Sequence, residues 1–201
     1  MARLDTDSGS RHVAVFLDRD GVINRRARAP DYIRNWSEFE LTPGATEALA
    51  ALQEAGAALF IVTNQRGVAL GLVDQADLDD IHARLVDTLA AAGVSLGGIY
   101  TCPHEIDTCD CRKPQTGLFT QAQADHPWIA FERSHLVGDS ISDVEAGHRL
   151  GLRLWLVGDA AGAIAQEATQ RGMRLEASAA SVKDLVEEGS LVRAIADGAR
   201  G

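Results

Sequence analysis

Five consecutive apolar residues, Val13-Ala14-Val15-Phe16-Leu17, run directly into Asp18-Arg19-Asp20-Gly21. A run that short, unbroken and partly β-branched predicts a strand covered on both faces, because a half-exposed strand would alternate apolar with polar residues. Such a strand needs helices above and below it, and the chain supplies them. Thr42-Pro43-Gly44 predicts a helix start, with Thr42 as N-cap and Pro43 in the first turn. Ala45, Ala48, Leu49 and Leu52 then share one face, and Gly56 ends the helix. A second buried strand is expected over 57–62. Asp74 is expected to cap a helix with Leu78, Ile81, Leu85 and Leu89 as its apolar stripe, stopped by Gly93. Further strands are expected over 98–101, 135–137 and 153–157, and helices over 116–124 and 144–150. Beyond that, only Val182, Leu185 and Val186 suggest a closing helix.

Strands separated by helices imply right-handed crossovers and an α/β fold: a Rossmann-like three-layer sandwich around a mainly parallel sheet. The stretch between Asn24 and Pro43 is too short to house a large cap domain. The expected organisation is a polar leader over 1–11 and a single domain over 12–201. In open sheets of this kind ligands bind beyond the carboxyl ends of the strands, so the reactive residues belong just after the apolar runs.

The chain has 201 residues, with 19 basic against 29 acidic ones and a net charge of −10. That balance argues against nucleic acid or an anionic membrane as partner, since both require a basic face. No apolar run approaches the ~20 residues that span a bilayer. The N-terminal residues lack the apolar stretch of a secretory signal, so the protein is expected in the cytoplasm, as a monomer. A small anionic substrate remains compatible, because a few cations reverse the field within one cleft. Arg25, Arg26 and Arg28 are either such a patch or a solvated loop.

Four signals fall at or beside predicted strand ends. Asp18 and Asp20 follow the first strand, and two close carboxylates call for a hard divalent cation. Gly21 permits a sharp exit from the sheet. Thr63, Asn64 and Gln65 close the second strand with a hydroxyl and two amides. Arg112 and Lys113 bring two cations just before a helix. Asp139 and Asp143 follow the fourth strand.

In this order, the set resembles the four motifs of the haloacid-dehalogenase superfamily. The resemblance implies that Asp18 is a nucleophile attacking phosphorus and Asp20 a general acid, later base. It implies Mg²⁺ held by Asp18, the main-chain carbonyl of Asp20, and Asp139, with Asp143 supporting that site from behind. Thr63 and Lys113 would bind the transferred phosphoryl group. A carboxylate attacks a phosphate dianion only when their repulsion is neutralised, which the metal and the lysine accomplish. An aspartate at position 20, able to move a proton, favours a phosphatase over a dehalogenase.

All three cysteines lie close together: Cys102-Pro103-His104 and Cys109-Asp110-Cys111. Three thiolates and an imidazole match a closed tetrahedral Zn²⁺ site, and four protein ligands leave no open position, so the metal would be structural. The alternative is a reduced cysteine-rich loop with an incidental His104. A zinc loop over 102–111 would hold Arg112 and Lys113 over the substrate. The remaining histidines, at 12, 82, 126, 135 and 148, read as structural or surface residues, and Trp36, Trp128 and Trp155 as packing residues.

The combination of DRDGVIN, VTNQRGV, the zinc loop, CRKP and GDSISD looks like the D-glycero-D-manno-heptose 1,7-bisphosphate 7-phosphatase group. Histidinol-phosphate phosphatases, which share the zinc loop, are the nearest alternative, followed by other sugar-phosphate phosphatases. Asp31 and Tyr32 resemble the substrate loop of the heptose group. By the same resemblance Asn64, Gln65 and Arg112 join Thr63 and Lys113 as substrate contacts. Two features depart from the group: an arginine-rich loop before Tyr32, and Ser140 where a lysine often stands. A non-enzymatic reading, a receiver-like phospho-acceptor module, also groups acids, a hydroxyl and a lysine around a parallel sheet. Asp20 and the zinc loop speak against it.

Overall fold

The computed structural model describes residues 13–28 and 30–200, so the expected leader over 1–11 lies outside the described residues. The strands are β1 (Val13–Leu17), β2 (Ala57–Asn64), β3 (Leu96–Cys102), β4 (His135–Gly138), β5 (Arg153–Val157) and β6 (Ala177–Ala179). They form one sheet in the order β3-β2-β1-β4-β5-β6, with every pairing parallel. Among the described residues the helices are α1 (Ala45–Glu54), α2 (Arg66–Ala69), α3 (Gln75–Ala91), α4 (Gly117–Asp125), α5 (Ile141–Leu150), α6 (Ala161–Gln170), α7 (Val182–Glu187) and α8 (Ser190–Arg200).

The unbroken apolar runs are explained by two separate cores. Successive side chains of a strand point to opposite faces. Val13, Val15 and Leu17 of β1 enter one core with residues of α1, α3, α7 and α8, while Ala14 and Phe16 enter the other with residues of α4, α5 and α6. β2 and β5 divide in the same way: Leu59, Ile61, Trp155 and Val157 face the first core, and Phe60, Val62, Leu154 and Leu156 the second. Phe16 anchors the second core through an edge contact with Phe119, centroids 5.1 Å apart. The three-layer parallel sandwich expected from the sequence is thus the observed fold, and no large cap interrupts it.

Several boundaries differ from the expectation. Thr42 is not the N-cap of α1; that place falls to Gly44, in the left-handed region with φ 77°. Thr42 is instead tied to the first loop, its N–H donating to Ile23 O at 2.9 Å. Asp74 does stand at the start of α3, but its side chain makes no capping hydrogen bond. β2 ends at Asn64, within the residues expected to close it, while β3 runs further than expected at both ends and takes in Leu96 and Cys102. α5 starts at Ile141 rather than 144, because Ser140 and Asp143 form a reciprocal capping box. After β5 the chain forms a helix, an edge strand and two more helices, where only a closing helix was expected. No helix among the described residues is long and apolar enough to cross a membrane.

Candidate active site and cysteine–histidine cluster

The sheet order reverses direction between β1 and β4, and the acidic residues gather at that point. The Asp18 N–H donates to Val137 O at 3.0 Å, which carries the β1–β4 pairing one residue past the strand. The Asp18 carboxylate accepts from the Arg19 N–H at 2.8 Å and meets Lys113 Nζ at 3.0 Å, both at Oδ1. Gly21 then turns the chain away at φ 92°; a Cβ there would lie 1.8 Å from Asp139 Oδ2. Glycine is therefore required where the first loop crosses the fourth.

Lys113 is almost fully buried, with its ammonium between Asp18 and Asp143 (2.6 Å) and donating to Val62 O at 2.8 Å. Burial opposes its charge, but the two carboxylates outweigh that and raise its pKa, so it stays protonated. Asp143 sits in the first turn of α5, and its Oδ2 accepts from the Ser140 N–H at 3.1 Å and from the Ser140 hydroxyl. It reaches this place only because residue 138 is glycine, where a Cβ would lie 2.3 Å from Asp143 Cβ.

Ligand atoms of Asp18, Asp139 and Asp143 all lie within 4.8 Å of one another. Burial, opposed by Lys113 and reinforced by Asp143 and Asp20, pushes the Asp18 carboxyl up to about 6. Burial and the Asp18 charge push Asp139 up to about 8, against the pull of Arg26. Lys113 leaves this negative charge undercompensated. The donor set is all oxygen, which fits a hard divalent cation.

The Asp20 carboxylate is engaged by a different set of partners. Arg19 donates to both of its oxygens at 3.0 Å, Asn24 Nδ2 reaches Oδ1 at 2.9 Å, and Gln65 Nε2 reaches Oδ2 at 2.8 Å. Burial alone would raise its pKa, but these donors, Arg19 first, hold it below the ordinary carboxylate value. Arg19 went unnoticed in the sequence, where it reads as a spacer between two acids. It is the largest fully buried side chain, and its Nη1 lies 3.0 Å from His82 Nε2. Burial and Arg19 push His82 down to about 4, so its neutral ring can accept from the guanidinium.

The other expected rim residues divide into two groups. Thr63 Oγ1 accepts from Gln65 Nε2 at 2.8 Å, which leaves its own proton for another acceptor. Asn64 engages the Lys113 backbone with both ends of its amide, at 3.1 and 3.0 Å. Arg112 carries a buried Nη1 with no hydrogen-bond partner. Asp31 and Tyr32 line a cleft with Arg25, Arg26, Arg28 and Arg34. Of the two readings of that arginine loop, a solvated face does not describe Arg26, whose Nη2 lies 2.5 Å from Asp139 Oδ1.

The cysteines and His104 meet at the end of β3. Cys102 Sγ lies 3.6 Å from both His104 Nδ1 and Cys109 Sγ, and Cys111 Sγ lies 3.2 Å from His104 Nδ1 and 3.3 Å from Cys109 Sγ. No disulfide joins them. A tetrahedral Zn²⁺ with bonds of about 2.3 Å requires ligand edges of about 3.8 Å, and these four atoms already approach that figure. Burial pushes the thiols of Cys102 and Cys111 up, while at Cys109 burial is outweighed by hydrogen bonds from Cys111 and the Arg112 backbone, which bring that thiol down to about 7. The loop is fastened to the β2 rim by Gln65 N–H to Cys102 O at 2.7 Å and by an Arg66–Glu105 ion pair at 2.5 Å.

A parallel α/β sheet with an aspartate after its first strand, a hydroxyl closing the second, a buried lysine and a further acid pair define a haloacid-dehalogenase-like hydrolase. A family model described as HAD-hydrolase-like matches residues 110–187. The D-glycero-alpha-D-manno-heptose-1,7-bisphosphate 7-phosphatase of Mycobacterium tuberculosis is 44% identical over 137 residues, 68% of this chain and 72% of that protein. The beta-anomer counterpart from Pseudomonas putida is 42% identical over 144 residues, covering 71% and 81% of the two chains. The crystal structure of a D,D-heptose 1,7-bisphosphate phosphatase from B. bronchiseptica, complexed with magnesium and phosphate, is 31% identical with a TM-score of 0.73, covering 88% of this chain and 99% of that one. The chain belongs to the heptose-1,7-bisphosphate 7-phosphatase family of HAD-like phosphatases.

Proposed function

We propose that this phosphatase removes the 7-phosphate of D-glycero-D-manno-heptose 1,7-bisphosphate through an aspartyl-phosphate on Asp18. The observation that carries the reading is Lys113, buried between Asp18 and Asp143 at the point where the sheet order reverses. The names of the relatives support the substrate.

Lys113 and the Arg19 N–H both address Asp18 Oδ1, which leaves Oδ2 as the attacking oxygen. It forms the bond to phosphorus while the bond from phosphorus to the sugar oxygen breaks. Lys113 and the Thr63 hydroxyl take up the charge on the phosphoryl oxygens. Asp20 leaves its clamp of Arg19, Asn24 and Gln65, takes up a proton from solvent, and passes that proton to the leaving oxygen. In that clamp it is ionised, the form that takes a proton from water when the acyl phosphate is hydrolysed. Mg²⁺, held by Asp18, the carbonyl of Asp20 and Asp139 with Asp143 behind, would neutralise the repulsion between nucleophile and phosphate. Arg112, with its unpartnered Nη1, Gln65, Asp31 and Tyr32 are read as substrate contacts, and Asn64 as the residue that fixes the Lys113 backbone. Zn²⁺ bound by Cys102, His104, Cys109 and Cys111 would be structural, pinning the segment that leads into Arg112 and Lys113.

The working unit is a single domain over 12–201 with its metal loop at 102–111; two cores on one sheet support that reading. With a net charge of −10 it is read as a cytoplasmic monomer acting on a diffusible sugar phosphate, without nucleic acid or membrane.

Steady-state rates on both anomers of the heptose bisphosphate and on histidinol phosphate test the substrate. The expected order puts one heptose anomer first in kcat/KM. A higher value for histidinol phosphate would move the chain to the other group that shares its zinc loop.

A further inference from the structure

The cleft that holds Asp31 and Tyr32 also carries arginines to which the chemistry above gives no role. It measures about 370 Å³, and four arginines line it: Arg25, Arg26, Arg28 and Arg34. Against Asp31, Glu38 and Glu40 on the same wall they leave one net positive charge, in a chain whose net charge is −10. Two of the four are engaged by acids of the same cleft, Arg25 by Glu40 at 3.1 Å and Arg34 by Glu38 at 3.3 Å. The Arg28 side chain is exposed and has no hydrogen bond or ion pair among the described residues. Arg26 links the cleft to the reaction rim, its half-exposed guanidinium 2.5 Å from Asp139. The contacts of Lys113 are with Asp18 and Asp143, so Arg26 supplies the neighbouring positive charge for Asp139.

We propose that Arg26 and Arg28 bind the phosphate of the bisphosphorylated sugar that is not transferred. This rests on the bisphosphate reading given above and adds to it the residues that select a second phosphate. A guanidinium matches a phosphate dianion in charge and in its paired donor geometry. A sugar with one phosphate at Asp18 and the other in the cleft lies across Asp139, the residue that Arg26 now covers. A divalent cation on Asp139 takes over the charge Arg26 compensates, and the guanidinium is then free to turn into the cleft beside Arg28. Tyr32, also on the cleft wall, offers its ring and hydroxyl to the sugar between the two phosphates.

The test uses the full chain with Mg²⁺, comparing kcat/KM for heptose 1,7-bisphosphate with that for p-nitrophenyl phosphate, which carries one phosphate. In Arg28→Gln and in Arg26→Gln the ratio of the two values falls about tenfold, mostly through KM for the bisphosphate. Equal losses on both substrates would overturn the proposal. A calorimetric Mg²⁺ titration without substrate gives a second readout. Arg26→Gln should bind Mg²⁺ several-fold tighter than the parent, and Arg28→Gln should match the parent. An Arg26→Gln variant with unchanged Mg²⁺ affinity would remove the exchange at Asp139. If the parent enzyme shows no preference for the bisphosphate, the substrate reading fails together with this one. If it keeps that preference in both variants, only the arginine site is lost.

Discussion

The acidic rim and the cysteine–histidine loop are both clusters that suit a cation, yet the protein holds them in opposite ways. Around Asp18, Asp139 and Asp143 it supplies its own positive charge, with Lys113 buried among them and Arg26 at the edge. Strands β1 and β4 and the capping box of α5 fix the carboxylates whether or not a metal arrives. Around Cys102, His104, Cys109 and Cys111 the sulfurs meet one another, the imidazole and backbone N–H groups including that of Arg112, and residues 103–116 form neither helix nor strand. The rim is held by strands and by its own cations, while the loop is held by its contacts to the β2 rim. Oxygen donors on rigid strands suit an exchangeable Mg²⁺, and soft donors on irregular chain suit a permanent Zn²⁺.

That contrast can be broken most sharply at Asp18. Asp18→Asn should lower turnover by about four orders of magnitude, because the amide is not a nucleophile toward phosphorus. Its melting temperature should hold or rise, since the change removes one charge from a crowded acidic cluster. A variant that keeps normal turnover would end the nucleophile assignment.

Lys113→Met should come next, now in stability. It leaves Asp18 and Asp143 buried without their cation, a loss of about 3–5 kcal/mol in denaturant unfolding. If stability is unchanged, the rim does not depend on the internal lysine.

The loop should answer differently. Cys109→Ser should lose bound zinc by elemental analysis and lower kcat/KM about ten- to hundredfold, as the segment before Arg112 and Lys113 loosens. Unfolding of the sheet should shift far less than in Lys113→Met. Full activity in a zinc-free preparation given only Mg²⁺ would remove the link between loop and rim.

The smallest effect concerns pH. Without metal, Asp18 and Asp139 have raised pKa values, about 6 and about 8, and Mg²⁺ binds only their ionised forms. Mg²⁺ affinity should therefore rise with pH across that window, by about tenfold, with protons released on binding. Calorimetry in two buffers of different ionisation enthalpy measures that release. An affinity flat from pH 6 to 8 would show that the carboxylates are not mutually strained.

How far the sequence reached depended on the range of the signal. The strand at 153–157 was placed to the residue, because an apolar run bounded by Gly151 and Gly158 carries its own limits. β6 went unseen: three small residues, Ala177-Ser178-Ala179, make a half-buried edge strand that only its pairing with β5 defines. The start of α1 was misread because Thr42 and Pro43 carry local capping chemistry that a bond from Thr42 to the first loop overrides. Among the functional residues, the acids, threonine and lysine were legible as types at strand ends. Arg19 and His82 were not, because their roles lie in contact with each other across 63 positions of chain.

The sequence by itself determined the layered sheet, the order of acid, hydroxyl, lysine and acid along it, and the four potential zinc ligands. Periodicity and chain order are local properties, and one dimension suffices to record them. Only the tertiary structure decided which charges face one another: Lys113 between Asp18 and Asp143, Arg19 clamping Asp20, Arg26 against Asp139. Electrostatic energy depends on distance and burial, and both are set when separate strand ends are brought to one rim.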